Sequence, residues 1–367
     1  LNMTIIDKWK EKQLKKIIEK TGNNITGIKD FTAGENPSLL FYLLGDKFNY
    51  LLDNNPQTAI SKTGVKIRKI INPIIKMIAP SFLGGKQIIE NRKQLIDPDS
   101  TEEDDKVEIP DRPVIWVANH GFKDDILASV LAAERNAYII MGSLPQIYNT
   151  FDGITAWLNG VIMVNRKVKE SKKATLPKSA QAMEYGTDIL IFPEGVWNKS
   201  PNELLLDFWP GVYRLAKQQN ALVVPLVHYS EDSTDKKSTI HTVIDDPIDI
   251  TQMSEQEGLE LLRDKMATWS YLMMEKYGQT TREQLLEGYD STQEAWEDHL
   301  RRRVATADRY DEEIELAADY RPKDKEILED VFFPIANSEP TKENIGHVQE
   351  VKKLVKEYKN NDFQRRF

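Results

Sequence analysis

The sequence predicts an α/β protein with a mostly parallel sheet flanked by helices, N-terminal amphipathic helices and a C-terminal helical extension. Short runs rich in β-branched residues recur between residues 113 and 250, and segments with the apolar spacing of helices separate them. This alternation is typical of a parallel sheet covered on both faces. Beyond residue 250 the chain keeps helical spacing and is rich in charge.

The strands and helices of the α/β region follow from these runs. The predicted strands are VIWVA (114–118), AYIIMG (137–142), VIMVN (161–165), DILIFP (188–193), ALVVPLVHY (221–229) and STIHTVID (238–245). The predicted helices lie at about 125–135, 145–158, 172–185 and 211–219. Further on, Ser254 and Glu257 form a capping box, so a helix that ends at Gly278 is expected. Functional side chains in such sheets gather at the carboxyl ends of the strands.

Changes in composition divide the chain into four parts. These are an N-terminal helical, membrane-docking region (1–96), an acidic linker (97–112), the α/β domain (113–250) and the C-terminal helical extension (251–367). Amphipathic helices are expected at 3–20 and near 37–52.

The stretch from residue 62 to 78 combines seven β-branched apolar residues with five cations and no acid. This pattern predicts a helix, kinked at Pro73, that lies in a membrane interface. Two alternatives remain open. The isoleucines can pack against the α/β domain, or the cations can receive an acidic carrier protein.

Composition excludes several classes of function. The net charge of −9 argues against a general nucleic-acid binder, and the absence of cysteine excludes disulfides and a cysteine nucleophile. No run approaches the ~20 apolar residues of a spanning helix, and no signal-peptide pattern is present. We therefore expect a cytoplasmic protein that associates peripherally with the inner face of the membrane.

Three predicted strands end in side chains suited to chemistry. His120 and Asp125 follow the first strand, Arg166 follows the third, and Glu194 with Gly195 follows the fourth. Histidine titrates near neutral pH, so His120 is a candidate general base, and Asp125 can orient its ring and stabilise the imidazolium. The chain has no Gly-x-Ser-x-Gly nucleophile motif, which favours direct attack by an acceptor oxygen over a covalent acyl-enzyme.

In order and spacing these segments resemble the glycerolipid acyltransferases, the family of the 1-acylglycerol-3-phosphate acyltransferases. The family's Asn-His-x4-Asp motif is met by Asn119, His120 and Asp125, and the arginine of its second motif by Arg166. Its Phe-Pro-Glu-Gly-Thr-Arg motif is met from Phe192 to Gly195, but Val196 and Trp197 replace Thr and Arg. A downstream Phe-x-x-Gly is met by Phe208 and Gly211, and the fourth motif by Val224 and Pro225.

The resemblance implies an O-acyltransferase of phospholipid biosynthesis. It would move a fatty acyl group from acyl-CoA or acyl carrier protein to a hydroxyl of a lysophospholipid or related glycerolipid, with no cofactor and no metal. The alternatives are a glycerol-3-phosphate or amino-lipid acyltransferase and a catalytically silent lipid-binding or scaffold protein. The intact Asn-His-x4-Asp motif argues against the silent protein.

The resemblance also assigns roles to the remaining site residues. Arg166 is expected to clamp an acceptor phosphate, and Glu194 to bind acceptor hydroxyls or brace its loop. Backbone N–H groups near Gly121 or Gly195 are expected to bind the oxyanion. The set expected to bind substrate is Asn119, Arg166, Glu194, Gly195 and Trp197.

Trp197, in place of an arginine, predicts an acceptor other than a bare phosphate monoester. Lys167, Lys199 and Arg214 are the cations that could compensate for the missing arginine. The other histidines show no metal-ligand spacing and receive no role.

Overall fold

The computed structural model describes the α/β region almost completely. The described residues are 60–83, 85–103, 106–142, 151–165, 168–199, 203–231 and 239–278, with short pieces at 8–9, 12, 287–289, 294–296, 298–300, 341, 345–346, 348–349 and 351–353. The chain divides into two compact units, Leu1–Tyr320 and Arg321–Phe367, and the elements below belong to the first. The helices predicted at 3–20 and 37–52 lie almost entirely outside the described residues.

Helices and strands alternate through most of the first unit. The helices are α1 (Lys62–Ile78), α2 (Arg92–Ile96), α3 (Asp125–Ala132), α4 (Phe151–Asn159), α5 (Lys169–Glu184), α6 (Gly211–Gln219) and α7 (Glu255–Tyr277). The strands are β1 (Lys86–Ile89), β2 (Val114–Ala118), β3 (Ala137–Gly142), β4 (Val161–Val164), β5 (Asp188–Ile191), β6 (Leu222–Ser230) and β7 (Thr239–Ile244). The six predicted strands and the four helices between them are confirmed within a few residues at their ends. Residues 145–150 of the helix predicted at 145–158 lie outside the described residues.

Within the described residues, the strands form one seven-stranded sheet in the order β1-β7-β6-β2-β5-β3-β4. Every neighbouring pair is parallel except β6 and β7, which are antiparallel. The predicted mostly parallel sheet is therefore confirmed. Strand β1 was not predicted, and it joins the sheet from ahead of the proposed boundary at residue 97. The three boundaries between the four predicted parts stay predictions.

The sheet has a hydrophobic core on each face because successive side chains of a strand point to opposite sides. All five residues of β2 are buried. Ile115 and Val117 join a core that includes residues of α5, α6 and α7. Val114, Trp116 and Ala118 join a second core that includes residues of α3. The central strand is thus fixed from both sides, and its carboxyl end is held rigidly.

Helix α1 packs on the domain through Val65, Arg68 and Asn72 and leaves five apolar side chains exposed. It begins at Ser61, whose side chain accepts a hydrogen bond from the N–H of Gly64 (3.0 Å). Asn72 is buried and donates to Asn159 Oδ1 (3.0 Å), and Arg68 donates from Nε to the carbonyl oxygen of Trp157 (2.9 Å). The exposed apolar side chains are Ile67, Ile70, Ile74, Met77 and Ile78.

Candidate active site

His120 and Asp125 are in direct contact at the carboxyl end of β2. His120 Nδ1 lies 2.9 Å from Asp125 Oδ2. The same carboxylate oxygen accepts hydrogen bonds from the N–H groups of Gly121 (2.9 Å) and Phe122 (3.2 Å). With Asp125 ionised, Nδ1 is the protonated nitrogen and donates to it, so Nε2 is free to accept a proton. No hydrogen bond engages Nε2 within the described part of the chain, and the His120 side chain is 14% exposed.

The local sequence explains this geometry. Asp125 is the first residue of α3, where the N–H groups of the helix start are unsatisfied and favour a carboxylate. Its side chain therefore folds back over the turn from His120 to Asp124 and collects the two N–H groups of that turn. The four residues between the histidine and the acid are the length that lets the carboxylate reach the ring of His120.

Glu194 braces the loop that carries His120. It follows β5, which is the hydrogen-bonded neighbour of β2, and it is completely buried. Its Oε1 accepts from the N–H of His120 (2.9 Å) and its Oε2 from the N–H of Leu206 (2.8 Å). Both oxygens are bonded to backbone, so of its two expected roles the geometry favours bracing over binding an acceptor hydroxyl. Burial raises the pKa of Glu194 to about 7.

Gly195 allows the loop to pass close to Trp209. Its φ is +70°, and a Cβ there would lie 2.9 Å from two atoms of the Trp209 indole ring. The N–H of Gly195 donates to the carbonyl oxygen of Phe192 (3.0 Å), just as that of Gly121 donates to Asp125. Both of these amides are bonded within the protein, and an oxyanion site formed by backbone N–H groups near Gly121 or Gly195 stays a prediction.

Two aromatic rings pack on the imidazole of His120. The ring centroid of Phe192 lies 4.7 Å from that of His120, and the centroid of Trp197 lies 5.4 Å away. Both aromatic side chains are buried. Trp197 therefore stands beside the candidate base, and its role in shaping an acceptor pocket stays a prediction.

Asn119 is bonded to a neighbouring strand. Its Nδ2 donates to the carbonyl oxygen of His228 (2.9 Å), and its Oδ1 accepts from the N–H of the same residue (2.7 Å). Both polar atoms of the amide are thus engaged with the peptide groups of β6. We interpret Asn119 as a residue that positions the loop, and not as the substrate-binding residue that the resemblance implied.

Sequence reasoning gave no role to His228, which lies beneath the candidate dyad. It is buried in β6, with Nδ1 2.9 Å from Thr242 Oγ1 and Nε2 2.7 Å from Ser129 Oγ. Burial lowers the pKa of His228 to about 4, so the ring is neutral near pH 7. The available signal was a histidine in a mostly apolar strand, three residues after Pro225 of the Val-Pro motif.

The structure describes only some of the basic residues expected at the site. Arg166 and Lys167 lie outside the described residues, so the phosphate clamp stays a prediction. Arg214 is on α6 and forms an exposed ion pair with Glu255 (3.1 Å), which argues against its compensating for the missing arginine. Among the described residues, no group of three or more His, Cys, Asp or Glu side chains is arranged to hold a metal ion.

The fold and the site define an α/β protein with a His–Asp dyad at the carboxyl edge of a largely parallel sheet. Residues 94–229 match the family model described as Acyltransferase. A 1-acyl-sn-glycerol-3-phosphate acyltransferase of Chlamydomonas reinhardtii is 27% identical over 117 residues, which is 32% of this chain and 34% of that protein. The chain therefore spans about a third of the length of this curated relative.

A solved structure also matches the chain. The crystal structure of the 1-acyl-sn-glycerophosphate (LPA) acyltransferase PlsC from Thermotoga maritima aligns with a TM-score of 0.43 and 18% identity, covering 58% of this chain and 84% of that one. By the family model and the curated relative, residues 94–229 are similar to the acyltransferase domain of the glycerolipid acyltransferases.

Proposed function

We propose that this protein is an O-acyltransferase that moves a fatty acyl group from an acyl thioester to a hydroxyl group of a glycerolipid. The observation that carries the proposal is the contact between His120 Nδ1 and Asp125 Oδ2 (2.9 Å), which leaves Nε2 available as a base. The match of residues 94–229 to the acyltransferase family model supports the same reaction class. The ordered dyad also argues against a catalytically silent scaffold, which has no use for a positioned base.

The proposed reaction is a single displacement. His120 Nε2 takes the proton of the acceptor hydroxyl as its oxygen attacks the thioester carbonyl carbon. Asp125 stabilises the imidazolium that forms. The C–O bond forms, the C–S bond breaks, and the imidazolium returns the proton to the leaving thiolate. The products are an ester and a free thiol, and no covalent enzyme intermediate is required.

Trp197 supports an acceptor that is less charged than a bare phosphate monoester. Its indole packs beside the His120 ring where the family motif has an arginine. An aromatic wall favours apolar or zwitterionic groups, whereas a guanidinium binds a phosphate in a fork. We therefore propose a lysophospholipid with a larger or zwitterionic headgroup as the acceptor.

The test is incubation of the purified protein with labelled palmitoyl-CoA or palmitoyl-carrier protein and a panel of acceptors, followed by measurement of product masses. The panel includes lysophosphatidic acid, zwitterionic lysolipids, glycerol 3-phosphate and an amino lipid. Formation of an esterified lysolipid is the expected result. A strong preference for lysophosphatidic acid would contradict the role of Trp197, and the absence of any product would contradict the enzyme activity.

We further propose that α1 docks the protein on a lipid surface. None of the helices in the described residues is long and apolar enough to cross a membrane. Ile70 is 74% exposed and Ile74 is 54% exposed, on the side of α1 that faces away from the domain. Exposed apolar side chains flanked by lysines can enter the headgroup boundary while the lysines meet anionic lipid. Sedimentation with anionic vesicles tests this docking.

A further inference from the structure

The buried imidazole of His228 connects the sheet to the helix that carries Asp125. Its Nδ1 meets Thr242 Oγ1 on β7 (2.9 Å), and its Nε2 meets Ser129 Oγ on α3 (2.7 Å). Ser129 lies one helical turn after Asp125 and donates its hydroxyl proton to the main-chain carbonyl oxygen of Asp125 (2.7 Å). All four residues are buried. The first turn of α3 is thereby tied to two strands.

The direction of these hydrogen bonds is fixed at the α3 end. The carbonyl oxygen of Asp125 can only accept, so it takes the single hydroxyl proton of Ser129. Ser129 Oγ must then accept a hydrogen bond from the ring of His228. Nε2 of His228 therefore carries a proton.

The direction is also fixed at the other end. Gln87 on β1 donates from Nε2 to the carbonyl oxygen of Ala128 (3.0 Å), which can only accept, so the orientation of its amide is determined. The same nitrogen donates to Thr242 Oγ1 (2.9 Å). The hydroxyl proton of Thr242 is then available to Nδ1 of His228, which accepts it as an unprotonated nitrogen.

His228 has a second link to the dyad through its peptide groups. Its N–H and its carbonyl oxygen are paired with the side-chain amide of Asn119 at 2.7 Å and 2.9 Å. Asn119 directly precedes His120. The ring of His228 is thus linked through Ser129 to Asp125, and its peptide groups are bonded to Asn119, which precedes His120.

We propose that His228 is a positioning residue for acyl transfer, held as the neutral Nε2–H tautomer by a one-way chain of hydrogen bonds from Gln87 through Thr242, His228 and Ser129 to Asp125. This proposal rests on the function proposed above. His228 touches no substrate in this role. It fixes where the Asp125 carboxylate stands relative to the His120 ring, and small errors in that placement slow a reaction strongly.

The environment of His228 supports a ring that stays neutral. Burial lowers its pKa to about 4. An imidazolium would present a proton at Nδ1 to Thr242, and the hydroxyl proton of Thr242 would then lose its acceptor. The chain of hydrogen bonds is completely satisfied only by the Nε2–H tautomer.

A spectroscopic test of the tautomer does not depend on enzyme activity. In protein labelled with ¹⁵N-histidine, the ring nitrogens of His228 are assigned by their loss in His228→Gln. At pH 7 we expect the shifts of an Nε2–H tautomer. An Nδ1–H tautomer or an imidazolium at pH 7 would overturn the proposal.

The positioning role is tested by Ser129→Ala and Thr242→Val, each of which breaks one link. The readouts are the solvent exchange of the His120 Nδ1 proton and the separate values of kcat and KM. We expect faster exchange in both variants, and kcat lower by about tenfold to a hundredfold at unchanged KM. Thr242→Ser keeps the hydroxyl and should restore both readouts. Thr242→Val is nearly isosteric, so it remains informative if Ser129→Ala fails to fold.

Ser179→Ala is the matched control. Ser179 is buried in α5 and donates to the carbonyl oxygen of Thr175 four residues earlier (2.8 Å), as Ser129 does to Asp125. This variant should leave proton exchange and kcat unchanged. Exchange and kcat that are unaffected by Ser129→Ala and Thr242→Val would overturn the proposal, as would equal losses in Ser179→Ala. Wild-type protein without transfer activity would refute the proposed function, while the exchange and tautomer measurements would still decide the role of His228.

Discussion

Asp125 Oδ2 accepts three hydrogen bonds, from the ring of His120 and from the N–H groups of Gly121 and Phe122. Its other oxygen, Oδ1, is buried and has no hydrogen-bond partner among the described residues. The acid therefore presents one oxygen to the base and to the turn together. This asymmetry determines what a substitution at Asp125 should do.

Asp125→Asn should reduce the rate without changing the tautomer of His120. The two backbone N–H groups require an acceptor, so the asparagine oxygen takes the place of Oδ2 and the amide nitrogen that of Oδ1. Nδ1 of His120 then still donates, but the negative charge that stabilises the imidazolium is lost. We expect kcat to fall by about 10- to 100-fold, less than the ~10²–10⁴-fold contribution of a positioned base. Steady-state kinetics on folded protein checks this, and an unchanged kcat would contradict the assigned role.

The raised pKa of Glu194 predicts that the stability of the protein depends on pH. Its pKa is raised from 4.5 to about 7, so the native state binds its proton more tightly than the unfolded state. The stabilisation of the folded state by this tighter proton binding is complete below pH 4.5 and is lost as pH rises through 7. The free energy of unfolding of wild type should therefore fall relative to Glu194→Gln by about 3 kcal/mol over this range. The pKa of His228 is lowered to about 4, so its contribution to stability rises with pH. Because this contribution is the same in both proteins, it cancels from the difference between their free energies of unfolding.

Urea denaturation of wild type and Glu194→Gln at several pH values between 4.5 and 7.5 provides the measurement. The variant should be less stable than wild type at the lowest pH, because its amide NH₂ faces a backbone N–H. The difference between the free energies of unfolding of the two proteins should narrow as pH rises. A constant difference across this range would show that Glu194 keeps an ordinary pKa in the folded protein.

At the scale of the element, two cations of α1, Arg68 and Lys76, face the domain. Lys76 donates to the carbonyl oxygen of Ala133, and burial lowers its pKa. Arg68 lies over the rings of Tyr138 and Trp157, with its guanidinium carbon 5.6 Å and 5.1 Å from their centroids. These two cations hold the helix on the domain. From the sequence, Arg68 and Lys76 were grouped with the cations expected to face the membrane, whereas in the structure both pack against the domain.

The exposed lysines of α1 should control binding to anionic membranes. Lys62, Lys66 and Lys69 are exposed. Changing all three to Gln should weaken binding to anionic vesicles by up to about 3 kcal/mol, because each cation near such a surface contributes up to about 1 kcal/mol. Thermal stability should change little, since surface substitutions are usually within about 0.5 kcal/mol. Vesicle sedimentation at low and high salt measures the effect.

Arg68→Gln is the control for that experiment. It should lower thermal stability, because Arg68 donates to the carbonyl oxygen of Trp157 and to Tyr138 Oη. It should weaken vesicle binding less than any of the three lysine substitutions. Binding that is insensitive to salt and to the triple substitution would exclude α1 as the docking surface.

The elements differ in how far the sequence could predict them. The runs that became β2 and β6 are apolar over most of their length, and such runs predict buried strands. Strand β1 has only the four residues Lys86–Ile89 and an irregular burial pattern, so no local signal marked it. The packing of Arg68 and Lys76 against the domain was also beyond local prediction, since it depends on hydrogen bonds to the carbonyl oxygens of Trp157 and Ala133.

At the scale of the whole molecule, the candidate site is assembled from three neighbouring strands. His120 follows β2, Glu194 follows β5, and His228 lies near the end of β6. Strands β5 and β6 pair with β2 on its two sides. Motif spacing predicted the dyad because the histidine and the acid lie in one turn. The brace from Glu194 to the His120 amide, and the support from His228, depend on the order of strands in the sheet, which no single motif contains.

The central claim is that His120 is the base of an acyl transfer. The most direct measurement is the rate of ester formation from palmitoyl-CoA and the preferred lysolipid by wild type and by His120→Ala, with His120→Gln as a variant of closer volume. Circular dichroism and unfolding midpoints establish that all three proteins are folded. We expect both variants to lose about 10²–10⁴-fold in rate. A folded variant that retains more than about a tenth of the wild-type rate would contradict the claim, because a positioned base contributes far more than that.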